Sequence, residues 1–360
     1  LTAEGATEID CVVVHIENPQ EEKALNIALN KAVGEWEPVA LADLLSDLKL
    51  SGYDVDATGF DAAEIDDLFS RVHDKDVKED DFDVGAELKQ PCFSRMGDVW
   101  HLGRHTVICG DTTLPETFER LLGDTRVNLV CTDAPYFVAL KNKSGTIAND
   151  DLNDKQAYEF LIKCFTNFKN AMAKDASIYE FYATMKTRVF YDAFEDAGFK
   201  VGAGLVWKKP RAPLMRTDWK FNMEPIIWGW RKDGKHIWYG DQKQTSVFEF
   251  DGIRDSEKEG FGHPSSKPVP LIAYLIKQCT QTNGLVLDGF LGSASTLIAC
   301  EEINRSCFGV EIAPKFVDVA VKRYIHYRNS RTEDVYLMRD GQRMSFEEAM
   351  AEMQESANGE

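Results

Sequence analysis

From about residue 97 onward, short apolar runs alternate with amphipathic stretches. Residues 106–109, 127–132, 177–182, 201–207, 225–230, 284–288 and 307–311 are apolar over four to seven positions and read as strands. Residues 114–122, 154–173, 186–197, 268–278, 295–303 and 314–327 place their apolar positions at helical spacing between those runs. Strands buried along their whole length belong to a sheet covered on both faces. The alternation therefore predicts an α/β fold built on a parallel sheet.

The first 96 residues follow a different pattern. One strand at 12–14 precedes predicted helices at 21–33, 41–50 and 61–71. Asp61 sits at the start of the third, with Glu64 three residues on, which approximates a capping box. So abrupt a beginning suggests a fragment of a larger fold. Residues 73–90 are charged and poorly periodic, as in a linker. One amphipathic helix, carrying Phe346, Ala349, Met350 and Met353, is expected in the last stretch. The boundaries read as a mainly helical appendage at 1–72, an acidic linker at 73–96, the main domain at 97–328 and a helical tail at 329–360.

Composition narrows the function classes. At ~150 residues per domain, 360 residues predict about two domains. No run of ~18 apolar residues predicts a membrane span, and the N-terminus shows no signal peptide. The eight cysteines include no CxxC pair and no accompanying histidine spacing. That argues against a metal site or a disulfide scaffold and for a reducing, cytoplasmic setting. A net charge of −19 disfavours nucleic acid at first sight. Residues 1–90 alone hold 7 Lys/Arg against 23 Asp/Glu, whereas residues 201–245 hold 9 against 4. A local basic stretch survives behind the acidic total.

Three strand ends carry candidate chemistry. Asp133-Ala134-Pro135-Tyr136 follows the run 127–132, where open α/β sheets place ligands. An acid beside an aromatic face suits a flat, amino-bearing ring, although a strand-terminating turn is the better explanation of the tetrapeptide taken alone. Residues 286–296 run from a strand through Asp288-Gly289-Phe290-Leu291-Gly292-Ser293 into a helix. The small residues there admit a ligand to the backbone and to the helix N-terminus. Glu311 ends the next strand, placed to grip ribose hydroxyls or to be a surface acid. Asp111 ends the run 106–109 and serves equally as an N-cap for the helix from Leu114.

Taken in order, these motifs resemble the amino-methylating DNA methyltransferases of the permuted β class. There a DPPY motif comes first, a target-recognition region follows, and a DPFxGSGTT-like cofactor motif comes last. Asp133–Tyr136 and Asp288–Thr296 match the two ends, and His263-Pro264-Ser265-Ser266-Lys267-Pro268 resembles the family's HPxxKP segment. The resemblance implies a Rossmann-like S-adenosylmethionine-dependent methyltransferase fold in circularly permuted order, with target recognition at about 207–262. It implies S-adenosylmethionine as cofactor. Asp288, Phe290, Gly292 and Ser293 would lie along its methionine and ribose side, Glu311 at the ribose, Asp111 at the adenine, and Ser266 and Lys267 at the methionine carboxylate.

By the same resemblance the substrate is double-stranded DNA, and a homodimer is compatible with the family. The aspartate opening the motif favours adenine N6 over cytosine N4. Asp133 and the Ala134 carbonyl would accept the amino hydrogens of a flipped base stacked on Tyr136, with Pro135 completing the turn. Lys208, Lys209, Arg211, Arg216, Trp219 and Lys220 combine charge and aromatic surface for DNA contact, or form a solvated loop. Residues 137–151 read as a loop closing on DNA or as a long linker.

This chain departs from the family at three places: Ala134 and Gly289 stand where proline is usual, and Ala294 where glycine is usual. The first two changes loosen their turns, and the third adds a methyl group beside the cofactor path. A catalytically weakened DNA-binding or partition-associated protein is therefore the reading from another class. Residues 24–31 and 59–61 resemble the C-terminal part of ParB-like nuclease domains, which implies a truncated appendage too acidic to bind DNA well. A restriction-modification or phage setting accompanies the resemblance.

Overall fold

The computed structural model describes residues 15–31, 34, 36–61, 64–65, 68–69, 72, 77–138, 141–142, 145–146, 149–210, 218–240, 243–251 and 266–358. The chain divides into two compact units, residues 1–75 and 76–360. In the first, α1 (Pro19–Lys31) and α2 (Pro38–Leu50) match the predicted helices, and Ala24, Ile27, Leu41, Leu45, Leu48 and Leu68 form its core. The capping box forms: Asp61 N–H donates to Glu64 Oε2 and Glu64 N–H to Asp61 Oδ1, each at 2.8 Å. The strand expected at 12–14 lies outside the described residues.

The second unit begins with α3 (Val84–Glu87), β1 (Val99–Leu102), β2 (His105–Cys109), α4 (Pro115–Leu122) and β3 (Val127–Thr132). A small pair, β4 (Lys141–Asn142) and β5 (Gly145–Thr146), precedes α5 (Asp154–Ala171), β6 (Met172–Phe181), α6 (Thr187–Asp196), β7 (Phe199–Lys208) and β8 (Met223–Arg231). Then come β9 (Val247–Glu249), α7 (Val269–Cys279), β10 (Leu285–Asp288), α8 (Ser295–Glu302), β11 (Ser306–Glu311) and α9 (Pro314–Tyr327). The hairpin β12 (Val335–Arg339) and β13 (Gln342–Ser345) leads into α10 (Phe346–Asn358).

The main sheet runs β13-β12-β1-β2-β11-β10-β3-β6-β8-β7-β9. Only its centre, β2-β11-β10-β3-β6, is parallel throughout, while β1, β12 and β13 on one side and β8 and β7 on the other pair antiparallel. The expectation of a parallel sheet thus holds for the centre and fails at the flanks. Alternate strand residues face opposite sides. Leu129 and Cys131 pack with α7, α8 and α9, whereas Val130 packs with α4, α5 and α6.

Two stretches differ from their sequence reading. The tail expected to be helical contributes β12 and β13, joined through Asp340 (φ 50°) and Gly341 (φ 78°). Two consecutive positive φ values are what a tight antiparallel hairpin needs, and an Asp-Gly pair supplies them. The stretch expected to be a linker is packed from Val77 onward. Phe93 is buried, and the Phe93 and Ser94 N–H groups donate to Asp318 at 3.0 and 2.9 Å. Arg339, itself buried, bonds both Asp98 and the Phe93 carbonyl and ties this stretch to β12.

Candidate active site

The parallel strands β2, β3, β10 and β11 end on one edge, and their last residues bring Asp111, Asp133, Asp288 and Glu311 there. Sheet order makes β3 and β10 neighbours, so the turn after each meets the other. Thr132 Oγ1 donates to Asp288 Oδ1 at 2.8 Å and accepts from Gly289 N–H at 3.1 Å.

Asp288 organises the second turn. Besides Thr132, its carboxylate accepts from Phe290 N–H at 3.0 Å and from Thr296 Oγ1 at 2.6 Å. Gly289 is not loose. Its carbonyl accepts from Thr112 Oγ1 at 2.5 Å, and a Cβ there would run into the Phe168 ring. Proline would not fit that space. Gly292 (φ 50°) gives its N–H to Glu311 Oε2, and Ala313 N–H donates to Oε1, both at 2.8 Å. Burial pushes the Glu311 carboxyl up to about 7. Ala294 is buried at φ 69°, a left-handed conformation that costs an L side chain strain. From behind, Arg323 donates to the Ser293 carbonyl at 2.6 Å while its Nη2 pairs with Asp80 Oδ2 at 2.6 Å.

The first turn lies in a network of charge. Asp133 Oδ2 accepts from Lys267 Nζ at 2.5 Å, while buried Oδ1 has no hydrogen-bond partner among the described residues. Lys267 also lies 3.3 Å from Glu224 Oε2, and Glu224 accepts from Lys209 Nζ at 2.5 Å and from the Tyr136 hydroxyl at 3.1 Å. Burial raises Asp133 to about 6; Lys267 pulls it down and Glu224 adds to the rise. Burial alone would raise Glu224 too, but Lys267 and Lys209 outweigh it and hold that carboxyl at about 2. The same two carboxylates keep Lys267 above the ordinary lysine range despite its burial. Ala134 N–H donates to Glu180 Oε1 at 3.1 Å, and Phe137, next after Tyr136, is buried at φ 56°.

The candidate residues separate by position. Ser266 and Lys267 enter α7 side by side yet serve different turns: Ser266 Oγ lies 3.0 Å from Ser293 Oγ, while Lys267 reaches Asp133. Asp111 Oδ1 accepts from Thr113 N–H at 2.8 Å in a local turn; the helix cap position belongs to Leu114, not to Asp111. Lys208 pairs with Glu249 at 2.6 Å, and Lys209 belongs to the Glu224 network. Trp207 is buried and donates to the Phe250 carbonyl, so that ring is closed to stacking. Trp219, 85% exposed, and Lys220 lie on the surface. Arg211, Arg216 and much of 137–151 lie outside the described residues.

Sequence reading missed Glu180, Glu224, Arg323 and the threonines Thr112 and Thr132. For Glu180 a signal existed: an acid inside the apolar run 176–182 has nowhere to be exposed. Among the described residues no group of His, Cys, Asp and Glu suits a metal ion, and no helix is long and apolar enough to cross a membrane.

The family described as DNA methylase, of the N6/N4 kind, matches residues 127–322, and the family described as ParB-methyltransferase HTH domain matches residues 39–96. The second match runs across much of the stretch first read as a linker. Type II methyltransferase M2.MboI of Moraxella bovis is 26% identical over 225 residues, covering 56% of this chain and 81% of the relative. Type II methyltransferase M2.DpnII of Streptococcus pneumoniae is 23% identical over 219 residues, covering 55% and 82%. Among solved structures, PvuII DNA methyltransferase (cytosine-N4-specific) aligns with a TM-score of 0.52 at 17% identity, covering 76% of this chain and 97% of that one. At that identity the likeness speaks for the fold alone.

Proposed function

Because this chain belongs to the N6/N4 DNA methylase family, we propose that it methylates adenine N6 in duplex DNA at a specific site. S-adenosylmethionine is the methyl donor of such enzymes, and the edge described above suits it. Hydroxyls at Ser266 and Ser293 and the open amides of α8 match an α-carboxylate, and the Glu311 carboxylate matches vicinal hydroxyls. Phe290 and Gly292 would line the same path, with Asp288 holding the turn and Asp111 toward the adenine. When bound, the cofactor supplies an electrophilic methyl group.

What carries the reading is Asp133, whose buried Oδ1 is free to accept a hydrogen while Oδ2 is held by Lys267. An exocyclic amino group has two hydrogens and a lone pair delocalised into its ring. Asp133 Oδ1 and the Ala134 carbonyl would accept both hydrogens, drawing the nitrogen toward tetrahedral geometry and freeing the lone pair. Tyr136, its hydroxyl fixed on Glu224, would present a face for the flipped base, a stack worth ~1–3 kcal/mol. Lys267 takes the role of positioning Asp133 in place of holding a methionine carboxylate. Surface contact with DNA falls to Lys208, Trp219 and Lys220, together with Arg211 and Arg216.

The test is transfer of labelled methyl from S-adenosylmethionine to mixed-sequence duplex DNA, followed by nucleoside analysis. Label in N6-methyladenine is the expected result. Label in N4-methylcytosine would correct the acceptor. No label, with cofactor binding shown separately, would favour the binding-protein alternative. Asp133→Ala should abolish turnover and leave cofactor binding intact.

A further inference from the structure

Ala134 is 2% exposed, so its N–H is cut off from water and needs a partner inside the protein. The partner is Glu180, fully buried near the end of β6, whose Oε1 accepts that N–H at 3.1 Å. Glu180 stands opposite Thr132 of β3 and Ile227 of β8, so its backbone is fixed on both sides by the sheet. Its other oxygen, Oε2, is buried without a hydrogen-bond partner among the described residues. A carboxyl group is costly in such a place, and nothing in the packing of β6 calls for one.

We propose that Glu180 is a positioning residue for the methyl-acceptor turn, fixing the Ala134 peptide by a hydrogen bond where a proline ring would fix it covalently. The inference rests on the methyl-transfer reading. Two peptide planes set the direction of the Ala134 carbonyl. Pro135 confines the residue before it to extended conformations, which restricts the carbonyl side of Ala134. The N–H side has no such constraint in alanine, and Glu180 supplies it. A proline at 134 has its φ set by the ring and no N–H to satisfy, so a carboxyl facing it would be unpartnered and crowded. Alanine at 134 and an acceptor at 180 therefore belong together, and the turn is not loosened by the missing ring. Burial drives the Glu180 carboxyl well above its ordinary range, and in either protonation state it keeps an oxygen that accepts the Ala134 N–H.

The pairing is tested with Glu180→Gln, Glu180→Leu, Ala134→Pro and the double variant Ala134→Pro/Glu180→Leu. Each is assayed for kcat and cofactor Kd, and the wild type and the two Glu180 single variants also for deuterium exchange at the Ala134 amide. Glutamine keeps an acceptor oxygen of the same size, so Glu180→Gln should hold kcat within about twofold and leave the amide protected. Glu180→Leu should lower kcat by about tenfold or more with cofactor Kd unchanged and the amide exchanging freely, because a misaimed acceptor acts on the transition state. Ala134→Pro alone should be impaired, and adding Glu180→Leu should restore kcat. A double variant no better than Glu180→Leu overturns the proposal, as does a Glu180→Gln variant with kcat lost and the amide still protected. The exchange readout does not depend on catalysis. A chain that methylates no DNA fails at the wild type, whereas a wrong assignment of Glu180 fails in the exchange pattern of the variants.

Discussion

Lys267 places its ammonium 2.5 Å from the Asp133 carboxylate and 3.3 Å from that of Glu224, one buried cation between two anions. Without it the two carboxylates would face each other with, among the described residues, Lys209 to offset them. Asp133 is raised to about 6 by burial, with Lys267 opposing the rise. Turnover should therefore fall as pH drops through about 6 and Asp133 takes up a proton. Lys267→Met removes the opposing charge and should move that acid limb to higher pH. A kcat–pH profile with an unmoved limb in Lys267→Met would assign the limb to another group.

Cofactor affinity should depend on pH through Glu311. Its carboxyl is raised to about 7 by burial, and the ionised form is the better acceptor for ribose hydroxyls. Binding of S-adenosylmethionine should therefore tighten as pH rises through about 7, with proton release. Glu311→Gln should bind more weakly and without that dependence. Calorimetry in buffers of different ionisation heat reads both effects, and a wild-type Kd flat from pH 6 to 8 would contradict the assignment.

Ala294 stores local strain at φ 69°. Glycine adopts that conformation freely, so Ala294→Gly should stabilise the protein by roughly 0.5–1 kcal/mol after allowing for its more flexible unfolded chain. Denaturant unfolding with an unchanged m-value is the measurement. A destabilised variant would mean that the buried methyl contributes more by packing than the backbone loses by strain.

Arg323 is completely buried, and Asp80 neutralises it while it holds the Ser293 carbonyl. Asp80→Ala removes a buried ion-pair partner of Arg323 and should cost about 3–5 kcal/mol. Cofactor binding should weaken as well, since the turn loses its rear support. A variant with wild-type unfolding free energy would show that the pair is dispensable.

The lysines of the basic stretch should separate by experiment. Lys220 is exposed, and Lys220→Ala should reduce the log–log salt slope of DNA binding by about 1. Lys209→Ala should leave that slope unchanged and instead alter the pH profile of turnover, because Lys209 is committed to Glu224. Equal salt effects from both would place Lys209 on the DNA path.

The centre of the fold was legible because its strands are apolar along their whole length and end in acids, so Asp111, Asp133, Asp288 and Glu311 pointed to one sheet edge. The flanking strands were harder. β1 and β12 are four and five residues long and carry mixed pattern, although Asp340-Gly341 was a readable hairpin signal. Partnership within the site was not legible. Nothing in the spacing of Ser266 and Lys267 says that neighbours would serve different turns, or that Lys209, in a basic run, would face a buried carboxylate. Ala134 and Gly289 looked like loosened turns because a sequence shows the missing ring but not the hydrogen bonds or the packed phenylalanine that stand in for it.

Thr132 and Asp288 meet across 156 residues of chain, and that separation bears on when the enzyme becomes active during synthesis. Contacts so far apart in sequence form late, because a long loop must close before they repay its entropy. The turn after β3 emerges from the ribosome before β10 and β11 and then waits, its acids without the neighbours that hold them. Neither half of the site is complete until β10 and β11 have slotted in beside β3. A chain that lacks β10 and β11 is therefore a poor methylase, and activity waits for both strands to be in place.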